Sequence, residues 1–218
     1  MAVQLTNEAL SDRELQWRII YSVIVAGKSA RFAENAIRKL FGEYEEREPF
    51  EVVRSWDRAS AGLAVERFQV SGSIYFKSWL LEEKLRLAKT GNYGKLTKTL
   101  TELAWSDIDL RTCLPADLEK IHGIGPKTSR FFILWTRPDA RCAALDVHIL
   151  RWLGEKGYKV PKNTPQSAKA YAILEKAFLD EAEKLGLSPA ELDKQVWMER
   201  SGWTTWNPET FVSDKTGG

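Results

Sequence analysis

The chain has 218 residues, enough for one large domain or two lobes. Its composition, 44% hydrophobic and 28% charged, is ordinary for a soluble globular protein. A net charge of +2 says little about partners by itself, and two cysteines, Cys113 and Cys142, exclude a four-thiolate zinc or iron–sulfur site and a disulfide framework.

In chain order, the N-terminal stretch MAVQLTNEALSDRELQW lacks a basic-then-apolar signal pattern, and the apolar run IIYSVIVAG is too short to span a bilayer. An intracellular, reducing setting is expected. Helical periodicity dominates and alternating strands are absent, so the predicted fold class is all-α. A first helix is predicted from about Asn7 to Ala26. SARFAENAIRKLF gives a second, with Phe32, Ala36, Ile37 and Leu40 on one stripe. PFEVVRSW and DRASAGLAVERF read as two shorter helices, and SIYFKSWLLEEKLRLAKTG as a long one ended by Gly91. YGKLTKTLTELAW and LPADLEKI follow, then PKTSRFFILWT, a turn through RPDAR, and LDVHILRWLGEKG. PQSAKAYAILEKAFLDEAEKLG and SPAELDKQVWMERSG are the last strong helices, before a polar, glycine-ended tail carrying Trp203, Trp206 and Phe211.

Charge is unevenly spread. From Lys120 to Lys162 nine basic residues face only Asp139, Asp146 and Glu155. This is the footprint of a surface facing phosphates, or of a lysine-rich solvated face.

IHGIGPKTS, Ile121 to Ser129, lies inside that tract. A short helix ends near Ile121 and another begins near Pro126, whose missing N–H costs nothing at a first helical position. Gly123 and Gly125 let the turn tighten and keep side chains off it. The amides at the next helix start then form an anion site that a phosphate can approach. Flanked by Ile121 and Ile124 and followed by Lys127 and Thr128, the stretch reads as a helix–hairpin–helix, which grips a nucleic-acid backbone without reading sequence. Lys127 has a second reading. A lysine in a first helical turn meets the positive end of the macrodipole, and partial burial also disfavours its charged form, so its amine gains nucleophilic character. Asp146, nineteen positions on, reads as the N-cap of the helix that follows, and a cap holds a carboxylate at a defined place. An ionised Asp146 in contact with Lys127 would oppose the helix-end effect, so the chemistry needs separation by several ångströms or a shared proton.

IHGIGPKTS followed by LDVHILRW resembles the helix–hairpin–helix, Gly/Pro-rich loop and aspartate signature of the base-excision DNA glycosylase superfamily. Within it the chain is similar to the archaeal-type 8-oxoguanine DNA glycosylase/AP lyase family, through VAGKSA (Val25 to Ala30) and SPAELDKQVWMERSG. The endonuclease III branch carries a four-cysteine iron–sulfur loop that is missing here.

The resemblance implies two helical subdomains flanking a DNA-binding cleft. One spans residues 29–139 and carries the hairpin at about 115–136; the other is built from 1–28 plus 140–218. It implies a monomer acting on double-stranded DNA that contains a modified base, with a nucleoid-associated location and no organic cofactor. Lys127 falls on the catalytic lysine that attacks the sugar of a flipped-out nucleotide, and Asp146 on the catalytic aspartate. Gly123, Gly125, Thr128 and His148 would hold the backbone, and main-chain carbonyls of Glu119, Ile121 and Ile124 a monovalent cation. No side chain is implied as a metal ligand. Trp197 falls where the family places a tryptophan against the extruded base; with Leu192 and Val196 nearby, it also reads as a core tryptophan. Gly27 and Lys28 fall in the gap-filling loop, where Gly27 replaces the family's asparagine. The chain also continues past its closing helix, where family members tend to end. The target base is therefore open between 8-oxoguanine and another modified base, such as a phage-type hypermodified one. A non-catalytic hairpin module that docks on DNA is the reading from another class, and Asp146 argues against it.

Overall fold

The computed structural model describes residues 10–44, 46–68 and 79–201. Ten α-helices and one 3-10 turn (Gly42–Tyr44) make up its regular structure, with no strand among the described residues. None of these helices is long and apolar enough to cross a membrane. The tail residues Trp203, Trp206 and Phe211 lie outside the described residues.

The chain divides into two compact units. The first comprises Asp12–Leu110 and Lys120–Ile124. It contains α1 (Asp12–Ile24), α2 (Ala30–Phe41), α3 (Pro49–Phe68), α4 (Trp79–Leu87) and α5 (Tyr93–Trp105). α3, α4 and α5 pack on one another, and α1 packs on α2, α3 and α5. Leu15, Ile19, Ile20, Val23 and Ile24 of α1, Ile37 and Leu40 of α2, Val52 and Val53 of α3, and Leu81 and Leu85 of α4 are buried. Phe41 meets Trp17 edge-on at 4.9 Å and stacks on Trp56 at 5.4 Å. Burying an aromatic side chain of this size stabilises the fold by roughly 1.5–3 kcal/mol. Ser29 opens α2 by accepting the Phe32 N–H.

The second unit holds Arg111–Glu119 and, among the described residues, 125–201. Its helices are α6 (Pro115–Leu118), α7 (Pro126–Thr136), α8 (Val147–Glu155), α9 (Ala168–Leu185) and α10 (Pro189–Ser201). α10 lies against α7, α8 and α9. Their core cluster includes Leu145, Ile149, Leu153, Tyr171, Leu174, Phe178, Leu192 and Val196.

The helices follow the periodic pattern with differences at several bounds: α1 begins at Asp12 rather than about Asn7, and the start of the expected SIYFKSWLLEEKLRLAKTG helix lies outside the described residues. The stretches expected as two short helices form the single helix α3, because no proline separates them and a lone glycine, Gly62, costs a helix interior only about 1 kcal/mol. α6 is a single turn, shorter than LPADLEKI suggests. The apolar stripe of α1 is buried among α2, α3 and α5, and α7 packs with α6 and α10.

Candidate active site

The hairpin turn Lys120–Ile124 is held inside the first unit. The His122 N–H donates to the Glu102 carboxylate at 2.6 Å, and the Thr99 hydroxyl donates to the His122 carbonyl at 2.6 Å. Ile121 and Ile124 are buried, and the Ile124 N–H closes the turn on the Ile121 carbonyl at 3.2 Å. Gly123 has φ +85°, and a Cβ there would sit 2.4 Å from Thr99 Oγ1 and 2.9 Å from Lys95 Cε. Only glycine fits. Gly125 differs: its φ of −106° is extended backbone, and a Cβ there would meet no atom within 4 Å. What glycine leaves at 125 is open space in front of a helix start.

That helix is α7. Pro126 has no N–H and Ser129 bonds to the Gly125 carbonyl at 3.1 Å, so the amides of Lys127 and Thr128 are the pair left without a protein acceptor among the described residues. The Thr128 side chain is buried, which leaves its amide as the group it can offer a phosphate. Lys127 is half-buried, its ammonium 5.1 Å from the centre of the Phe131 ring. No carboxylate among the described residues comes within ion-pair distance of it.

Asp146 opens α8, as its sequence position predicts. Its Oδ1 accepts the N–H of His148 at 2.8 Å and of Ile149 at 2.9 Å, while Oδ2 has no protein donor among the described residues. Ile149, Leu150, Trp152 and Leu153 bury the other face of this short helix, which fixes the cap in place. His148 is half-buried, and its buried Nδ1 has no hydrogen-bond partner among the described residues.

Asp193 is half-buried on α10, a helix that packs against both α7 and α8. It lies on α10 beside the core residue Leu192. Burial pushes its carboxyl up to about 7, the Asp146 carboxylate pushes the same way, and Lys127 opposes them. One carboxyl thus senses both the amine of α7 and the cap of α8. Trp197, one turn further along α10, is half-buried and stands outside the core cluster that takes Leu192 and Val196.

The frame behind the site is a charged network. Arg130 donates to Glu119 and to Glu175, both at 2.7 Å, with its guanidinium 4.5 Å from the centre of the Tyr171 ring. Glu175 also accepts the Ala143 N–H at 3.0 Å. The Tyr171 hydroxyl donates to the Ala143 carbonyl at 2.7 Å and accepts the Leu145 N–H at 3.1 Å. α7 and the strand-like approach to Asp146 are therefore locked by the same residues. Arg130 and the buried Arg137 do not face phosphates, so the basic tract is a smaller phosphate-facing surface than its sequence suggests. Burial pushes the Cys142 thiol up to about 12, which leaves it unreactive at neutral pH. No group of three or more His, Cys, Asp or Glu among the described residues could hold a metal ion.

In the other unit, Gly27 has φ +73° with open space around it. The Lys28 ammonium donates to the Thr90 carbonyl and lies 4.8 Å from the centre of the Phe32 ring. To fill a gap in a duplex it would have to leave both.

Comparison with known proteins bears on this geometry. An 8-oxoguanine DNA glycosylase/AP lyase of Thermoplasma volcanium is 29% identical over 140 residues, 60% of this chain and 67% of that protein. One from Thermoplasma acidophilum is 35% identical over 85 residues, 39% of this chain and 40% of that protein. In structure, the Methanocaldococcus jannaschii 8-oxoguanine glycosylase/lyase, crystallised in complex with 15mer DNA containing 8-oxoguanine, matches with a TM-score of 0.61. That match covers 91% of this chain and 86% of the other at 22% identity. The chain is similar to archaeal 8-oxoguanine DNA glycosylase/AP lyases and shares the fold of one of them. No family model matches.

Sequence reasoning expected Lys127 in a first helical turn and Asp146 as a helix cap, as the structure has them, and gave no sign of the Arg130 network or of Asp193 on the neighbouring helix. The acid in SPAELDKQVW carries no local signal, because a carboxylate on an amphipathic helix is ordinary until its surroundings are known.

Proposed function

We propose that this chain is a bifunctional DNA glycosylase/AP lyase that removes 8-oxoguanine from double-stranded DNA. The observation that carries the reading is that Lys127 stands in the exposed-amide first turn of α7 while Asp146 is fixed as the cap of α8, both helices packed against α10. A lysine amine at one helix start and a fixed carboxylate at the next are the pair such chemistry requires.

The flipped nucleotide presents C1′ to the Lys127 amine. The Nζ lone pair forms a bond to C1′ as the glycosidic bond breaks, its electron pair leaving on the base. Positive charge develops on the sugar as that bond lengthens, and the Asp146 carboxylate, fixed by two helix amides, stabilises it electrostatically. The ring-opened Schiff base then loses a proton from C2′, and elimination cleaves the strand on the 3′ side. The amides of Lys127 and Thr128, with the clear approach at Gly125 and the tight turn at Gly123, suit a backbone phosphate. His148 lies two residues past Asp146 and takes a backbone phosphate. Trp197, half-buried on the helix of Asp193, suits a stacked base. Main-chain carbonyls of Glu119, Ile121 and Ile124 would hold a monovalent cation. The Ile121 carbonyl already accepts one amide, and a cation would use its second lone pair.

Borohydride trapping on duplexes carrying a panel of modified bases tests this. An adduct formed best with 8-oxoguanine and lost in Lys127→Gln is expected. A different best lesion would keep the lysine chemistry and change the substrate. Salt-sensitive DNA binding with no adduct on any lesion would make the chain a docking module.

A further inference from the structure

Ala143, Ala144 and Leu145 carry the chain to Asp146, and all are buried yet belong to no helix. Backbone polar groups in such a place need partners, and here side chains supply them. The Ala143 N–H donates to Glu175 at 3.0 Å, and the Leu145 carbonyl accepts the Thr164 hydroxyl at 2.7 Å. Two of the groups in between meet a single side chain. Tyr171 donates its hydroxyl to the Ala143 carbonyl at 2.7 Å and accepts the Leu145 N–H at 3.1 Å. Tyr171 and Glu175 stand one turn apart on α9, so the same helix face reaches the whole segment.

The same hydroxyl oxygen lies 3.4 Å from the Pro126 carbonyl, in the first turn of α7. A phenol has one proton and the shorter contact to Ala143 takes it, so the approach to Pro126 is the weaker of the two. Arg130 donates to that same Pro126 carbonyl at 3.3 Å, and its guanidinium lies 4.5 Å from the centre of the Tyr171 ring. Pro126 immediately precedes Lys127, and Leu145 immediately precedes Asp146. The tyrosine is 1% exposed, so packing holds it still. One rigid side chain therefore contacts the residue before the amine and the residue before the carboxylate.

Resting on the glycosylase/lyase reading above, we propose that Tyr171 is a positioning residue whose hydroxyl sets the register of Lys127 against Asp146. It touches neither the substrate nor the reacting atoms and acts through the backbone ahead of both groups. Attack at C1′ needs the amine and the charge-stabilising carboxylate to address one sugar, and a misplacement of about 1 Å can cost on the order of 100-fold in rate. Phenylalanine at this position keeps the ring and its place against Arg130. It leaves the Ala143 carbonyl and the Leu145 N–H without their shared partner, which frees the approach to Asp146 to shift against α7.

The test is Tyr171→Phe in single-turnover assays. Base release at saturating enzyme should fall about 10-fold, while the half-saturating enzyme concentration stays within about twofold of wild type. Strand cleavage at a preformed abasic site should slow much less, because it needs Lys127 but no charge stabilisation at a breaking glycosidic bond. In an Asp146→Asn background Tyr171→Phe should cost under about twofold, since the carboxylate whose placement it secures is gone. Thr164→Val loses one bond to the same segment and none to α7, and should lower the melting temperature without the selective loss of base release. A merely structural tyrosine gives another pattern: equal slowing of base release and abasic-site cleavage, and the same loss with or without Asp146. That pattern overturns the proposal. So does base release within about twofold of wild type by folded Tyr171→Phe, an equal selective loss in Thr164→Val, or failure of Tyr171→Phe to fold. No base release by wild-type protein from any lesion would defeat the glycosylase reading and this proposal with it, whereas the outcomes above defeat the proposal alone.

Discussion

Lys127 and Asp146 begin successive helices, α7 and α8, and neither forms an ion pair with the other. The separation that nucleophilic chemistry demands is therefore built in: Asp146 is turned to the amides of its own helix, and Lys127 lies over Phe131.

The two oxygens of Asp146 have separate work, which distinguishes two substitutions. Asp146→Asn keeps an oxygen for the cap and should leave thermal stability nearly unchanged, while base release falls roughly 100-fold with DNA binding retained. Asp146→Ala should lose the same activity and also about 1 kcal/mol of stability. Normal excision by Asp146→Asn in single-turnover assays would remove the aspartate from the mechanism.

The hairpin glycines should separate folding from binding. Gly123→Ala forces a side chain into a left-handed position and against Thr99, and should destabilise by more than about 1 kcal/mol. Gly125→Ala meets open space, so its melting temperature should hold while DNA affinity drops, because the methyl group occupies the phosphate approach. Equal thermal losses in both variants would contradict this division.

Arg130 holds two half-buried glutamates. Arg130→Met should cost roughly 3 kcal/mol, since both carboxylates lose their shared cation. Adding Glu175→Gln should recover part of that loss in chemical denaturation. A double variant no better than the single one would show that the charges are solvated.

Asp193 should make stability fall as pH rises. Its folded carboxyl titrates at about 7, above the ordinary unfolded value of about 3.9. Between those values the folded state binds the extra proton, so stability is fully present below the lower value and is lost as pH climbs through the upper one. Asp193→Asn should therefore raise the melting temperature at pH 8 and change it little at pH 4. A pH-independent difference would mean that the carboxyl is not buried as a charge.

Trp197 stands apart from the cluster that takes Leu192 and Val196. Trp197→Ala should weaken discrimination among lesions while costing less stability than Phe178→Ala, a core truncation worth about 3–5 kcal/mol. A matching collapse in melting temperature would assign the tryptophan to the core.

The sequence alone determined whatever depends on near neighbours. Helix spacing placed α5 and α7 at their observed bounds, a helix-capping carboxylate announced itself at Asp146, and Gly-x-Gly-Pro marked the hairpin. Such features follow from backbone geometry over a few residues, which side-chain type reports directly. The tertiary structure alone decided which glycine is sterically required, since the atoms around Gly123 belong to Thr99 and Lys95. It also decided that Arg130 joins glutamates 11 and 45 residues away. Desolvation and charge coupling depend on what packs in space, and Glu175 on its amphipathic helix looks the same in sequence whether water or Arg130 lies beside it.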